Sequence, residues 1–206
     1  MNYIENIFIC LTAPLIIAII VRPGRGRRMM SFLLAGMTAC LLSSYISTFL
    51  AAVNGADLLQ ASLTIAPAVE ESMKLVPVLF FLMVFEPSRE EAAGCVTMTA
   101  IGFATFENVC YLIQNGAAQT VHLLIRGFGT GAMHVVCGII VSIGVFRLWG
   151  RVWIRLAGVI GVLSVAISYH GIYNLLVSQQ GAAAVIGYLI PMFTALLGAV
   201  FVRNLL

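Results

Sequence analysis

Apolar positions run through this 206-residue chain in long blocks separated by short polar breaks. A helix needs about 20 apolar residues to cross a hydrocarbon core. By that measure the blocks predict seven spans, at about 3–21, 30–53, 63–85, 93–114, 122–146, 156–177 and 182–202. The breaks carry turn chemistry: RPGRGRR after Val21, NGAD at 54–57, EPSREE at 86–91, QNGAAQ at 114–119, RLWGRVWIR at 147–155 and SQQG at 178–181. No 20–50-residue period repeats, and no stretch is polar or long enough to form a separate soluble unit. The expected architecture is an all-α, polytopic membrane helix bundle of about seven transmembrane helices in one domain, 1–206.

Composition strengthens that picture. Hydrophobic residues make up 61% and charged residues 9%, where a soluble domain carries roughly a quarter charged. The five cysteines (Cys10, Cys40, Cys95, Cys110, Cys137) stand singly in apolar runs without a CxxC pair. They read as small buried hydrophobes rather than a disulfide framework or a thiolate metal site. The first span ends, rather than begins, in a basic cluster, and it is expected to stay as an anchor rather than be removed as a signal peptide.

Charge then sets an expected orientation. Arg22, Arg25, Arg27 and Arg28 fall in the first break, Arg89 in the third, Arg147, Arg151 and Arg155 in the fifth, and Arg203 at the C-terminal end. The second, fourth and sixth breaks hold no Lys or Arg. The positive-inside rule therefore predicts the N-terminus outside and the C-terminus cytoplasmic, with Trp149 and Trp153 as interfacial anchors. The net charge of +3 is thus explained by topology. A lipid bilayer is the expected surrounding, and no nucleic-acid partner is expected.

Five charged residues remain deep inside the predicted spans: Glu70, Glu71, Lys74, Glu107 and Arg126, joined by His134 and His170. Such groups are costly in a bilayer and usually face the bundle interior, paired and functional. In EESMK, Lys74 lies four residues from Glu70 and three from Glu71, so the three can share a helix face. His170 and Asn174 in YHGIYN are four apart, as are Phe103 and Glu107 in GFATFEN. Counted inward at 1.5 Å per residue, Glu70, Glu71, Glu107 and His170 lie about 10–12 Å below the outer surface and His134 about 14–18 Å. Four helices thus bring acid or imidazole to one layer. An internal ion-pair staple explains Glu70, Glu71 and Lys74 alone, and a satisfied core histidine explains His134 alone, but neither explains the set. Arg126 is expected to serve as a counter-charge and His122 to be interfacial.

Three carboxylates and two imidazoles without a suitable Ser or Cys partner point to water activation. Ser72 is expected on another helix face, and Cys137 is expected to be an inert buried thiol. Two mechanisms stay open. A carboxylate can act as general base while His and Asn stabilise an oxyanion, or Glu and His can hold a zinc ion that acidifies water. The three glutamates against Lys74 and Arg126 leave a net −1, which a divalent cation would turn to +1.

With these motifs in view, the chain resembles the PrsW-type intramembrane proteases. Glu70-Glu71-Ser72-Met73-Lys74 is similar to their EExxK element, Phe103 to Asn108 to FxxxEN, His134 to a third motif, and His170 with Asn174 to a fourth, in order over about 66–175. The related CAAX prenyl endopeptidases carry EExxxR and FxxxH, and Glu107 at the second place favours the PrsW side. The resemblance implies a multi-pass cell-membrane protease with a catalytic core at about 63–177. It implies cleavage of a membrane-anchored protein near the extracytoplasmic face, with an anti-sigma factor as the substrate class and site-1 cleavage as the step. By carry-over Glu70 is the general base, and Glu71 and Lys74 shape its charge. Glu107, His134 and His170 bind the metal (Zn2+ being the cofactor expected) or polarise the carbonyl. Asn174 orients His170 or assists the oxyanion. Larger members carry a long external domain with no counterpart in this sequence, so recognition is expected to fall to loops and bundle. The competing expectations are a non-catalytic scaffold that binds membrane helices and a proton-coupled transporter, against which stand the odd span count and the absence of an inverted repeat. A retinal-type receptor is disfavoured because the last span has no lysine.

Overall fold

The computed structural model describes residues 3–116, 120–148 and 152–205, and the described residues fold into helices and short connections with no strand. The helices are α1 (Ile4–Val21), α2 (Arg25–Asn54), α3 (Leu58–Gln60), a π turn (Ala61–Ile65), α4 (Ala66–Phe85), α5 (Arg89–Asn115), α6 (Thr120–Leu148), α7 (Val152–Val177) and α8 (Ala182–Leu205). Because α3, the π turn and α4 follow one another without a break in right-handed geometry, the described residues form seven helical rods, one for each predicted span. Five of them (α1, α2, α5, α6 and α7) are long and apolar enough to cross a membrane. The α4 rod is interrupted by Glu70, Glu71 and Lys74. Trp149 and Arg151, with the side chains of Arg147, Trp153, Arg155 and Arg203, lie outside the described residues.

The ends follow local chemistry. Gly55 closes α2 at φ 61°, a left-handed conformation that suits glycine. The Asp57 carboxylate accepts the Gln60 N–H at 2.7 Å and starts α3. Ser88 and Glu91 form a reciprocal capping box at the start of α5. The first break is shorter than the sequence predicts, because α2 begins at Arg25 rather than near residue 30. The reason is electrostatic: Arg25 pairs with Glu90 at 2.9 Å and Arg28 with Glu91, so the basic turn of α2 docks on the acidic turn of α5.

At the centre, α2 and α5 pack closely, with α4 against α2, α5 and α7, and α6 against α5, α7 and α8. The α2–α5 contact is backbone to backbone. A Cβ on Gly36 would fall 2.0 Å from the Thr99 carbonyl oxygen, and one on Gly102 would fall 2.0 Å from that of Leu33. Small residues at both crossings allow this approach, as in other membrane bundles. One half of the interior is an apolar core of Leu75, Val78, Leu82, Val96, Met133, Cys137 and Val141. The outer faces of α1, α4 and α8 are rich in exposed large apolar residues such as Ile17, Ile20, Phe80, Phe85, Leu196 and Leu197, which suit lipid contact.

Candidate active site

One turn of α4 holds a buried ion pair. Lys74 Nζ donates to Glu71 Oε1 at 2.6 Å, and both side chains are nearly inaccessible. The same Glu71 oxygen lies 2.7 Å from His170 Nδ1 on α7. Lys74 Nζ also lies 2.8 Å from His134 Nδ1 on α6 and 4.8 Å over the Phe103 ring of α5. Phe103 packs on His134 at 4.9 Å between ring centroids, and the two imidazoles meet edge to face at 5.2 Å. One turn beyond Phe103, Glu107 Oε2 lies 2.6 Å from His134 Nε2, while its other oxygen accepts from Arg126 at 3.2 Å. Arg126 also donates to Asn108 Oδ1 at 2.7 Å and stacks over Tyr111 at 3.6 Å. The Glu107-Asn108 dipeptide thus holds one guanidinium between its two side chains.

These contacts constrain the protons. A carboxylate only accepts, so the Glu71 contact calls for a proton on His170 Nδ1 and turns Nε2 toward Glu70. An ammonium only donates, so Lys74 engages the lone pair of His134 Nδ1, and His134 donates from Nε2 to Glu107. Lys74 balances Glu71 and Arg126 balances Glu107. Glu70 is left outside both ion pairs.

Glu70 occupies a different environment from its neighbour. Its Oε2 faces His170 Nε2 at 3.8 Å, a separation that suits a proton, a water or a cation between them. Its side chain is 19% exposed and that of Glu107 29%, against 3% for Glu71. Both partly exposed carboxylates open onto a cleft of about 630 Å³ between α1, α2, α5 and α6, whose wall also includes Glu5, Ser44, Tyr45, Ser47 and Arg126. One ligand atom from each of Glu70, His134 and His170 lies within 4.8 Å of the others. Two imidazoles and one carboxylate form a donor set known from catalytic zinc sites. Glu71 behind His170 is the carboxylate that commonly orients a metal-binding histidine.

The structure brings Glu70, Glu71, Lys74, Glu107, His134 and His170 into one network. Within it the ligand-like triangle contains Glu70 where the sequence reading placed Glu107, because Glu107 is drawn to Arg126 and the His134 N–H. Asn174 lies apart from that network: its amide donates to the Ser62 carbonyl oxygen in the π turn at 2.8 Å. Ser72 returns its hydroxyl to the Ala68 carbonyl, Cys137 is buried with its sulfur 3.5 Å from the Ala166 carbonyl oxygen, and His122 meets the Tyr111 hydroxyl at 3.2 Å. All five cysteines are free. Sequence reasoning passed over the α1 contribution to the cleft, where Glu5 accepts from the Tyr45 hydroxyl. A lone acid inside the first apolar run was the available signal.

Fold and site together define a multi-pass membrane protein with a buried glutamate–histidine centre that opens onto one cleft. The family model for PrsW family intramembrane metalloproteases matches residues 25–202, most of the chain, and the chain belongs to that family of intramembrane proteases. Comparisons with curated proteins and with solved structures gave no match. The matched region begins after α1, so the helix that supplies Glu5 to the cleft precedes it.

Proposed function

We propose that the chain is an intramembrane endopeptidase that hydrolyses a peptide bond of a membrane-tethered protein, with Glu70 as the group that activates water. The observation that carries this reading is Glu70 itself. Among the described residues it is the site carboxylate with no Lys or Arg partner, it faces Nε2 of His170, and it opens onto the cleft. His170, held by Glu71 through Nδ1, turns Nε2 to the reacting centre. His134 and Glu107 form the opposite wall, joined through the His134 Nε2 contact to Glu107 Oε2 at 2.6 Å. Past Lys74, α4 continues into the apolar core of Leu75, Val78 and Leu82. That favours hydrolysis at a dead-end site over transport through both leaflets.

The residues fit a zinc ion. Glu70, His134 and His170 would hold it, and zinc supplies Lewis acidity that acidifies water and polarises a carbonyl. Both nitrogens of His134 are engaged, Nδ1 by Lys74 at 2.8 Å and Nε2 by Glu107 at 2.6 Å, so His134 would serve as a ligand by giving up one of those contacts. The positive-inside orientation would put the site in the extracytoplasmic half of the cell membrane. Cleavage there of an anti-sigma factor, as the first cut of a regulated cascade, is the activity the family relationship suggests.

Metal content by mass spectrometry tests the zinc arm, on detergent-purified wild type beside Glu70→Ala, His134→Ala and His170→Ala. Near-stoichiometric zinc in wild type, lost in folded variants, supports the metallo-site. Zinc-free wild type prepared without chelator overturns that arm and leaves hydrolysis to Glu70 alone.

A further inference from the structure

The rod that carries Glu70 and Glu71 contains a defect one turn before them. Pro67 is fully buried and follows the π turn after one residue, Ala66. Proline has no N–H, and its ring would press on the carbonyl four residues back, here that of Leu63. Widening the helix relieves that pressure: the Ala66 N–H reaches back five residues to the Ala61 carbonyl. Two carbonyls then lose their helical donors. Ser62 is skipped by Ala66 and can receive nothing from Pro67, and Leu63 has lost its donor four residues on. In lipid such a group must be satisfied within the protein.

Both carbonyls face α7. The Asn174 amide donates to the Ser62 oxygen at 2.8 Å. A Cβ on Gly171 would lie 3.1 Å from the Leu63 oxygen, so glycine allows the α7 backbone to approach it. His170 is the residue before that glycine, and its Nδ1 meets Glu71 at 2.7 Å. We propose that Asn174 is a positioning residue rather than a reacting one. With Pro67 and Gly171 it forms a joint that locks the register of α7 against α4, and thereby the facing of His170 on Glu70 and Glu71. A carbonyl freed from the helix ladder on one rod and the amide that meets it on the other give a lock that closes at a single register. A side-by-side apolar contact would tolerate sliding by a turn. This role rests on the reading of Glu70, Glu71 and His170 as the reacting centre, but the lock itself does not require catalysis.

The test is a double-mutant cycle on the full chain in lipid–detergent bicelles. Asn174→Ala leaves the Ser62 carbonyl without a donor. Pro67→Ala restores an N–H to the helix and gives the freed carbonyls a backbone partner. Amide exchange over residues 61–71, thermal unfolding, and kcat and KM for a membrane-anchored reporter peptide are read at a temperature where every variant is folded. Asn174→Ala is expected to speed exchange about 5-fold. It is expected to lower kcat about 10-fold or more while KM is held, as a displaced catalytic group does. Adding Pro67→Ala is expected to return exchange and kcat to within about 2-fold of the Pro67→Ala protein. If Asn174→Ala fails to fold alone, folding of the double variant supports the lock and its failure overturns it. Loss of kcat that Pro67→Ala does not relieve, with exchange unchanged, overturns the proposal and returns Asn174 to the reacting centre. Should wild type fail to cleave the reporter, the exchange and unfolding cycle alone decides the lock, and the protease reading fails separately.

Discussion

Replacing Lys74 with methionine removes an ammonium that touches Glu71 at 2.6 Å and His134 at 2.8 Å in a site with almost no solvent. Glu71 would then keep one polar partner, the His170 N–H. Breaking one side of a buried pair costs about 3–5 kcal/mol, because the remaining charge stays desolvated, whereas removing both members is often near neutral. Lys74→Met and Glu71→Gln should therefore each destabilise by about 3–5 kcal/mol, a drop of about 100-fold or more in the folded ratio. The double substitution should recover most of that loss. Glu70→Gln makes the contrast. Its side chain is partly exposed and its nearest basic atom is 3.8 Å away, so the change should cost under about 1 kcal/mol while it abolishes cleavage. The assay is equilibrium unfolding in mixed micelles titrated with a denaturing detergent and followed by circular dichroism. Additive costs for Lys74→Met and Glu71→Gln, or a Glu70→Gln cost equal to either, would refute the division of the two glutamates into an ion-pair member and a reacting group.

Further outcomes follow from the same geometry. Arg126→Met frees Glu107 and Asn108 together and should lower cleavage about 10-fold. Arg126→Lys should restore little, since one ammonium cannot bridge both side chains and stack on Tyr111. Gly102→Ala drives a methyl into the Leu33 carbonyl and should cost about 1–3 kcal/mol in the same unfolding assay, while Gly131→Ala, which meets open space, should cost under about 1 kcal/mol. Removal of metal with a strong chelator should end cleavage, and added zinc should restore it, if the Glu70–His134–His170 triangle is loaded.

The spans were legible because a bilayer imposes a length and the breaks carry strong turn chemistry. NGAD, EPSREE and SQQG coincide with helix ends through Gly55, Ser88 and Gly181. The residue types of the site were legible because charge inside an apolar run demands a partner. The partners themselves were not. Lys74 is compatible with either glutamate by spacing, and only the packing of α6 and α7 decides that it pairs with Glu71. Glu107 looked unneutralised because Arg126 lies 19 residues away on another helix. Relative heights of helices come from the Gly36–Gly102 crossing and from Pro67 beside Asn174, and a run of apolar letters carries no record of such registers. The start of α2 was misjudged for a related reason: Glu90 and Glu91 extend that helix from across the bundle.

The most direct measurement is mass-spectrometric detection of cleavage of a single-span reporter co-reconstituted in liposomes with wild type or Glu70→Gln protein. The account predicts a new terminus in or beside the reporter's transmembrane segment with wild type and none with folded Glu70→Gln. A product that persists in Glu70→Gln would contradict the assignment of Glu70, and an intact reporter across a panel of single-span sequences would contradict the protease reading.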